Sequence, residues 1–132
     1  MNPQELRIGN LLSNWNDAIV TVKDLYYSIY INEYFVGVKE TPSRYTFNGK
    51  DFKPILLTEE WLLKFGFRKI EAETIFDYEI WGIDDNEFLF EADEKYYHSF
   101  IQTEKHEIES VHRLQNLYFA LTGEELIIKE ND

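Results

Sequence analysis

Short apolar runs separated by turn-forming residues make up most of the first 55 positions. Runs that alternate apolar and polar residues, or that concentrate β-branched and aromatic types, predict strands, because successive strand side chains point to opposite faces of a sheet. The predicted strands lie near residues 6–11, 18–23, 25–31, 34–38 and 45–47. Asn48-Gly49, which precedes Phe52, is the residue pair most typical of a two-residue hairpin turn. We expect a small curled sheet over residues 1–55, with an SH3-like barrel as its closed form.

Two later segments have apolar residues at helical spacing and helix-capping residues at both ends. Thr58 is suited to cap the first helix, because its hydroxyl can accept a hydrogen bond from a free backbone N–H, and Gly66 suits the left-handed residue that ends it. The second helix covers residues 110–121, with Ser110 as its N-cap and Gly123 as its terminator. The sequence therefore predicts one short helix and one longer helix.

The region between these helices predicts three strands, and a further candidate strand follows the second helix. The strands are expected at residues 74–83, 87–92 and 95–102, and the further candidate at residues 126–129. The predicted fold class is α+β: an N-terminal short-stranded sheet, a helix, a three-stranded antiparallel sheet and a C-terminal helix. We expect a small β-rich lobe over residues 1–55 and an acidic α+β lobe over residues 56–132, with one shared core.

Composition indicates a folded protein suited to a reducing compartment. Its 17% aromatic residues argue against disorder despite a net charge of −12, because disordered chains are poor in aromatic residues. The absence of cysteine excludes a disulfide framework, a thiolate nucleophile and a zinc site built on thiolates. No run approaches the ~18 apolar residues of a membrane span, and residues 1–12 lack a secretory signal, so we expect a cytoplasmic protein.

The acidic residues are concentrated in the C-terminal part of the chain. Residues 1–55 contain six acidic and six basic residues, whereas residues 56–132 contain the other 19 acidic residues and 7 basic ones. Ten acidic residues and no basic one lie between Lys69 and Lys95. This charge favours a basic protein surface as partner, and it disfavours direct binding of nucleic acid or of an anionic membrane, since both require excess Lys and Arg.

The aromatic residues of the N-terminal sheet have no basic excess around them. We therefore expect them to form the core and rim of a small barrel rather than to stack on nucleic-acid bases, because single-strand binding combines stacking with a positively charged groove. These residues are Tyr26, Tyr27, Tyr30, Tyr34 and Phe35.

The register of the middle hairpin decides where the carboxylates point. A three-residue loop Asp84-Asp85-Asn86 is expected, because other loop lengths would mix carboxylates into the apolar face at a large burial cost. One face then carries the predicted core residues Phe76, Tyr78, Ile80, Phe88, Phe90 and Ala92. The opposite face carries Asp77, Glu79, Trp81, Glu87, Leu89, Glu91 and Asp93, with Glu79 opposite Glu91 and Asp77 opposite Asp93. Like charges directly opposite each other destabilise a sheet, yet no lysine is expected to relieve them.

This outward face is the candidate interaction site. Its carboxylates would meet a basic partner surface, with Trp81 and Leu89 as exposed apolar contacts, since Trp is enriched among the residues that contribute most to binding. The predicted partner-binding residues are Asp77, Glu79, Trp81, Asp84, Asp85, Glu87, Glu91 and Asp93. The alternative is a solvated sheet face that is kept acidic for solubility, with Trp81 covered by another part of the protein.

Catalytic and metal-binding functions have weaker support in the sequence. Glu79 and Glu91 on adjacent strands could approach the ~5 Å separation of a retaining glycosidase, but paired acids are common on small sheets. The same two residues with Asp77 and Asp93 would offer oxygen ligands for Mg²⁺ or Ca²⁺. The three histidines have no metal-ligand spacing, His98 has the strand parity of a core residue, and no serine has an identifiable base. The sequence therefore predicts no catalytic residue, no cofactor and no metal.

Two segments around the predicted helices, and the opening of the chain, resemble a known group of proteins. Residues 57–67 read LTEEWLLKFGF, residues 111–126 read VHRLQNLYFALTGEEL, and residues 6–10 read LRIGN. They resemble a family of small uncharacterised proteins encoded in bacterial genomes, prophages and other mobile elements. The motifs consist of helix caps and apolar spacing, so the resemblance implies a fold type and a genomic context but no activity and no catalytic residue.

That genomic context leads to the predicted function. Small acidic phage proteins are often inhibitors that occupy the nucleic-acid groove of a host defence nuclease, as anti-CRISPR proteins do, by presenting carboxylates in place of phosphates. The resemblance thus implies, by analogy, a non-enzymatic phage-encoded inhibitor that mimics nucleic acid and whose acidic sheet face binds a basic groove. The alternative is an accessory or structural phage protein that self-associates through apolar contacts at Trp61 or Trp81, without a charged partner.

Overall fold

The structure is a computed structural model that describes residues 3–41, 44–46, 51–70, 79–84, 86–99 and 107–129. Its contacts divide the chain into two compact units. Unit 1 comprises Met1–Leu56 and Ser110–Glu125, and unit 2 comprises Leu57–Glu109 and Leu126–Asp132. The chain therefore enters each unit twice, and each unit is assembled from two segments that are distant in the sequence.

Unit 1 contains a five-stranded antiparallel sheet. A 3-10 turn at Pro3–Glu5 precedes the strands β1 (Leu11–Asn14), β2 (Ile19–Ser28), β3 (Glu33–Val38), β4 (Arg44–Thr46) and β5 (Phe52–Lys53). The strand order is β4-β3-β2-β1-β5. The first part of β2 pairs with β1, and the second part pairs with β3. A β-bulge between Val22 and Asp24 separates the two parts, and a bulge of this kind bends its strand.

One apolar cluster forms the core of this sheet. Its buried members are Leu6, Leu12, Val20, Val22, Val36, Val38 and Phe52. Val20 and Val22 are two residues apart on β2, and Val36 and Val38 are two residues apart on β3, so each strand turns one face to the cluster. The partly buried Leu25 packs against this cluster from the second part of β2.

The expected hairpin around Asn48-Gly49 does not pair β4 with β5. β4 pairs with β3 and β5 pairs with β1, so these two strands lie at opposite ends of the strand order. Asn48 and Gly49 themselves lie outside the described residues. The pairing of β5 with β1 places Phe52 in the apolar cluster, and burial of a phenylalanine side chain is worth about 1.5–3 kcal/mol, more than a local turn preference supplies.

Helix α2 (Val111–Thr122) belongs to unit 1 and not to the unit of the residues that precede it in the sequence. It begins after Ser110 and ends at Gly123, as predicted, and Gly123 has the left-handed φ of +76° that favours glycine. The Ser110 side chain makes no capping hydrogen bond. The sequence placed this helix in an acidic lobe over residues 56–132, whereas its contacts group it with the first five strands.

Side-chain amides of α2 hydrogen-bond to the segment that precedes β1. Gln115 accepts from the Leu11 N–H at 2.9 Å and donates to the Gly9 carbonyl at 3.1 Å. The Asn10 side chain donates to Asn116 Oδ1 at 2.8 Å. Asn10 and Gln115 are buried, and a buried polar group left without its partner costs about 1–3 kcal/mol. The opening motif and the α2 motif therefore meet in one network, which holds α2 in unit 1.

Unit 2 contains helix α1 (Glu59–Lys64) and a four-stranded antiparallel sheet. The strands are β6 (Arg68–Ile70), β7 (Glu79–Ile83), β8 (Asn86–Ala92) and β9 (Lys95–His98), in the order β6-β7-β8-β9. The predicted N-cap of α1 is confirmed, because the Trp61 N–H donates to Thr58 Oγ1 at 3.4 Å. Gly66, just after the helix, has a φ of +90°, as its predicted role requires.

Two features of unit 2 differ from the prediction. The short, charged segment of β6 forms a fourth strand that the sequence pattern did not indicate. Residues 126–129 are not a strand, although Leu126 is buried and the Lys129 N–H donates to the Lys64 carbonyl at 2.8 Å. The predicted strand positions 74–78 and 100–102 lie outside the described residues. The α+β class, with two antiparallel sheets and two helices, is confirmed.

Neither α1 nor α2, nor any other helical segment in the described parts of the chain, has the length and apolar character needed to cross a bilayer.

Candidate functional site

The middle of the β7–β8 hairpin has the register expected from the sequence. The pairs are Glu79–Glu91, Ile80–Phe90 and Trp81–Leu89. Near the turn the register shifts, because Phe88 is an extra residue on β8 and Ile83 pairs with Asn86. The innermost pair is therefore Ile83–Asn86 and not the expected Ile83–Glu87, so the predicted three-residue loop is wrong. Asp84 has a left-handed φ of +50°, as the first residue of a tight hairpin turn requires.

Phe88 is buried and Glu79 and Glu87 are exposed, as expected, but the burial of the two central apolar pairs is the reverse of that expected. Trp81 and Leu89 have 0% exposed surface, whereas the predicted core residues Ile80 and Phe90 are only half-buried. The prediction that Trp81 and Leu89 are exposed contacts for a partner is therefore wrong. Burial of a tryptophan removes more apolar area from water than burial of an isoleucine does. The bulge also allows Phe88 to be buried beside Leu89, so strict alternation does not assign the faces here.

Lys69 of the neighbouring strand β6 reduces the repulsion between Glu79 and Glu91. Its ammonium lies 3.1 Å from Glu79 Oε2 and 3.3 Å from Glu59 Oε1, and it lies 5.4 Å from the centre of the Trp81 ring. The hydrogen bonds to the two carboxylates, that to Glu79 first, raise the pKa of Lys69 above its ordinary value. The expectation that no lysine relieves the pair is wrong. Because β6 pairs Lys69 with Trp81, Glu79, two residues from Trp81, is the diagonal neighbour of Lys69.

Glu91, the other member of the pair, is half-buried and interacts with Tyr96 of β9. The two residues are partners in the sheet register, and the phenol donates a hydrogen bond to the carboxylate. Burial, followed by the nearby Glu91 charge, raises the pKa of Tyr96 to about 12. The phenol therefore remains a donor at neutral pH. Both predicted site carboxylates have protein partners, which supports a structural role for this pair.

The other described residues of the predicted site lie at the two ends of β8. Asp84 and Glu87 are exposed near the β7–β8 turn, and Asp93 is exposed at the β8–β9 turn. β8 has seven residues, so its two ends are separated by roughly 20 Å at the usual rise of a strand. These three described carboxylates therefore lie in two groups, one at each end of β8.

Asp93, which was expected to pair with Asp77, lies in a turn. Asp93 and Glu94 follow the last residue of β8, and both have positive φ values, as a two-residue type I′ turn requires. Asp93 is thus a turn residue and not a strand residue. Asp77 and Asp85, the remaining members of the predicted site, lie outside the described residues.

An open cleft of about 600 Å³ lies beside β6 and β7 in unit 2. The lining residues that the structure describes are Gly66, Arg68, Lys69, Ile70, Gly82 and Asp84. They include no histidine, serine, threonine or tyrosine, and Lys69 is already bonded to two carboxylates. In the parts of the chain that the structure describes, no group of three or more His, Asp or Glu residues could hold a metal ion. These described lining residues form no recognisable catalytic set.

Unit 1 contains a serine and a histidine at the start of α2 that contact each other, and the histidine also contacts a glutamate near the beginning of the chain. The sequence did not indicate this arrangement. Ser110 Oγ lies 3.2 Å from His112 Nδ1, and His112 Nε2 lies 3.5 Å from Glu5 Oε2. The prediction that no serine has a base nearby is therefore wrong. Ser110 and His112 are only 4% and 1% exposed, and burial lowers the pKa of His112 although Glu5 opposes this shift. Because a nucleophile must reach its substrate, this arrangement orients the start of α2 and does not form an accessible active site.

His98 is a core residue, as its strand parity predicted. Its ring meets the Phe88 ring edge to face at a centroid distance of 4.9 Å, and it is buried. Burial lowers the pKa of His98, so the ring is neutral at neutral pH. His106 lies outside the described residues. The two described histidines therefore lie in different units, each in a buried position.

The β2–β3 hairpin presents exposed apolar side chains at its turn. Ser28 pairs with Glu33, so residues 29–32 form a four-residue turn between the strands. Tyr30 is 93% exposed and Ile29 is 75% exposed. We define the apolar tip as Tyr26, Tyr27, Ile29, Tyr30 and Ile31, all of which have at least 41% of their surface exposed. Contiguous exposed apolar residues of this kind mark interaction surfaces more often than isolated ones do.

Aromatic pairs across the two strands hold the base of the apolar tip. The Tyr26 and Phe35 rings stack at a centroid distance of 5.0 Å, and the Tyr27 and Tyr34 rings lie 4.9 Å apart. Both pairs are direct neighbours in the sheet register. The Tyr27 hydroxyl also donates to Asn32 Oδ1 at 3.1 Å, and Asn32 has the left-handed φ of +53° that asparagine tolerates. The exposed turn is thus supported by ordered contacts on both faces of the hairpin.

Sequence reasoning missed the apolar tip, because it assigned residues 25–31 to a strand and its aromatic residues to a barrel core and rim. The sequence nevertheless contains a pattern that could have indicated the apolar tip. Residues 25–32 contain no charged side chain, and Ile29-Tyr30-Ile31 occupies a turn, where Gly, Pro, Asn, Asp and Ser are preferred. An apolar turn that no core accommodates indicates contact with something else.

No protein-family model, no curated protein and no solved structure matches this chain.

Proposed function

We propose that the chain is a non-enzymatic protein-interaction module that binds a partner protein through the apolar tip of the β2–β3 hairpin. The exposure of Ile29, Tyr30 and Ile31 in one turn is the observation that carries this proposal. Transfer of each such side chain from water into an interface contributes roughly 1.5–3 kcal/mol when burial is complete. A partner that covers the turn would therefore gain substantial binding free energy from three adjacent residues.

The chemistry of the hairpin defines the kind of partner surface it fits. The uncharged run at residues 25–32 is bordered by one acidic residue on each side, Asp24 and Glu33. A strongly charged partner surface would lose its hydration against this run without gaining a counter-charge. The partner surface that matches the apolar tip is therefore apolar, with little net charge.

Tyrosine at this position supports binding in two ways. Its ring supplies a large apolar area, while its hydroxyl can remain in water or bond at the rim of an interface, which explains the enrichment of tyrosine at binding hot spots. The ring pairs at the base of the tip already restrict Tyr26 and Tyr27. Less conformational entropy is therefore lost when these side chains become buried against a partner.

An SH3-like barrel is the architecture that we propose for the five strands of unit 1. The strand order β4-β3-β2-β1-β5 and the bulged β2, which pairs with β1 in one part and β3 in the other, support this proposal. In small β-barrels the loops and turns carry the binding residues, because the paired strands provide a rigid support. A turn that extends from β2 and β3 would have this role here.

A second candidate is the inhibitor role, in which acidic groups bind a basic nucleic-acid groove on a host protein, as the resemblance to prophage proteins implies. It is favoured by the exposed carboxylates of Asp84, Glu87, Asp93 and Glu94 in unit 2. The loss of Trp81 as an apolar contact weakens it, because charge pairs at a solvated rim contribute little to affinity.

Site-specific photo-crosslinking in cells that express the protein tests both candidates. A benzophenone amino acid replaces Tyr30 in one variant, and Ile8, which is also exposed and belongs to unit 1, in a matched control. We expect a discrete protein adduct from position 30 and none from position 8. Replacement of Ile29 and Ile31 by serine should remove that adduct.

The same experiment with the crosslinker at Glu87 examines the acidic candidate. A discrete adduct from position 87, together with none from position 30, would contradict the apolar-tip proposal and support the inhibitor role. Equal adducts from positions 8 and 30 would also count against the proposal, because they would show unspecific contact with unit 1.

A further inference from the structure

We propose that the occupant of the apolar tip is a second copy of this chain, so that two β2–β3 hairpins pack against each other in a symmetric dimer. This inference rests on the proposed function and identifies its partner. Three observations on charge, area and self-complementarity support it.

The distribution of charge makes unit 1 the part through which two copies can approach each other. Unit 1 contains eight acidic and seven basic residues, a net charge of −1, whereas unit 2 contains the other 17 acidic and 6 basic residues, a net charge of −11. Contact through unit 2 would bring two strongly acidic surfaces together. Contact through residues 25–32 of unit 1 has no charged side chain at its centre, and only Asp24 and Glu33 border it.

The exposed area of the apolar tip is sufficient for a stable contact between two copies. Large aromatic and aliphatic side chains that are 41–93% exposed offer roughly 100–200 Å² each, so the five residues together offer several hundred Å² per copy. Two copies would then bury on the order of 1,000 Å² or more, close to the lower limit of standard-size interfaces. The dimer is therefore expected to have moderate affinity and to depend on concentration.

The apolar tip is also suited to contact with itself. In a dimer with two-fold symmetry the same residues occur on both sides of the interface, so the patch must match its own chemistry. Tyr30 is flanked by Ile29 and Ile31, which lets the ring of each copy pack on the isoleucine side chains of the other. The tyrosine hydroxyls can stay at the rim in contact with water. A second copy of the chain therefore offers the apolar, uncharged surface that the apolar tip requires.

Salt dependence distinguishes this dimer from a complex that is held by charge. Each copy carries a net charge of −12, so long-range repulsion opposes dimer formation, and added salt screens that repulsion. The dimer should therefore become tighter as salt rises, whereas a complex between acidic groups and a basic surface would become weaker.

Sedimentation equilibrium of the full chain over a range of protein concentrations, at about 0.05 M and about 0.5 M salt, tests the inference. We expect a monomer–dimer equilibrium whose dissociation constant falls at the higher salt concentration. Tyr30→Ser should raise the dissociation constant at least tenfold. Ile8→Ser removes a comparably exposed apolar side chain elsewhere in unit 1 and should leave the constant unchanged.

Thermal unfolding of each variant shows that any effect on dimer formation is not a loss of the fold. Should Tyr30→Ser unfold, the double variant Ile29→Ser, Ile31→Ser replaces it as the test and is expected to dissociate the dimer to the same extent. A wild-type chain that sediments as a monomer at all concentrations would overturn the inference. So would a dimer whose dissociation constant is the same in the wild type and in both tip variants.

The proposed function can survive the failure of this inference, and the two outcomes are separable. A monomeric chain whose position 30 crosslinks to a different protein would overturn self-association and keep the apolar tip as a binding surface. A monomeric chain without any adduct from position 30 would overturn both.

Discussion

The two units of this protein each have a large aromatic side chain in a central strand or turn, Trp81 and Tyr30, and these two differ most in exposure. Unit 2, with its net charge of −11, buries Trp81 completely between the strands and the Lys69 ammonium that lies over its ring. Unit 1, with a net charge of −1, leaves Tyr30 almost fully exposed at the end of a hairpin. The charged unit has ordinary internal contacts, and the nearly neutral unit has an apolar surface that its own core does not cover.

This difference shows which kind of surface carries more information about function. A carboxylate on the surface is well hydrated and costs little, so an acidic region needs no partner to explain it. An apolar turn that remains in water has no such explanation within the monomer. The acidic hairpin is conspicuous in the sequence because charges are easily counted, yet the carboxylates at its centre contact Lys69 and Tyr96 of neighbouring strands.

Replacement of Trp81 by alanine should cause the largest loss of stability. The side chain is fully buried, so the substitution should lower the free energy of unfolding by about 3–5 kcal/mol. Trp15→Ala in unit 1 is the matched control, because that ring is half-exposed, and it should cost about 1–2 kcal/mol. Urea denaturation of both variants measures the difference, and equal losses would show that Trp81 is not part of the core of unit 2.

The buried amide network of unit 1 provides the next largest effect. Gln115→Leu keeps a side chain of similar size but removes the acceptor for the Leu11 N–H and the donor to the Gly9 carbonyl. We expect a loss of about 1–3 kcal/mol in the free energy of unfolding, because both backbone groups lose their partner in a buried site. The same substitution at the exposed Gln4, also in unit 1, should change stability by less than about 0.5 kcal/mol.

A third comparison uses pH, because one buried histidine lies in each unit. Burial lowers the pKa of His112 in unit 1 and of His98 in unit 2 below the ordinary value of 6.5. The unfolded chain therefore binds protons that the folded chain does not, so stability falls as the pH drops below 6.5 and levels off only below the folded-state pKa values. Each histidine contributes a slope of at most about 1.4 kcal/mol per pH unit.

His112→Asn separates the two contributions to this pH dependence. The asparagine oxygen can accept the Ser110 hydroxyl in place of His112 Nδ1, and it does not titrate. The variant should have a shallower slope between pH 6.5 and about 5, above the range where most carboxyl groups titrate. A slope identical to that of the wild type would show that His112 takes up no proton on unfolding.

The parts of the fold that the sequence predicted well are those that depend on neighbouring residues. Thr58, Gly66 and Gly123 mark helix ends because a single side chain or a single left-handed residue satisfies a helix terminus locally. The Glu79–Glu91 pairing was also predicted, since it follows from turn length and strand period. These features require no knowledge of what lies on either face of the sheet.

The features that were missed depend on contacts between distant segments. The Phe88 bulge buries Phe88 beside Leu89, which strict alternation does not allow, and Lys69 came from a strand too short to be recognised in the pattern. The grouping of α2 with the first five strands depends on amide hydrogen bonds such as Asn10 to Asn116, which no local periodicity encodes. The apolar tip was misread because Ile29–Ile31 breaks the usual turn composition.

The hydrogen bonds between the opening segment and α2 also set an order of events during translation. Arg7 and Asn10 bond to Asn116 across 109 and 106 positions, and the whole of residues 57–109 is synthesised in between. At a ribosomal rate of ~5–20 residues per second, the first strands emerge roughly 5–20 s before their helical partner exists. During this time the nascent unit 1 lacks α2, while its apolar hairpin can already form. Chaperones, or a second nascent copy on the same messenger RNA, can then contact the exposed hairpin.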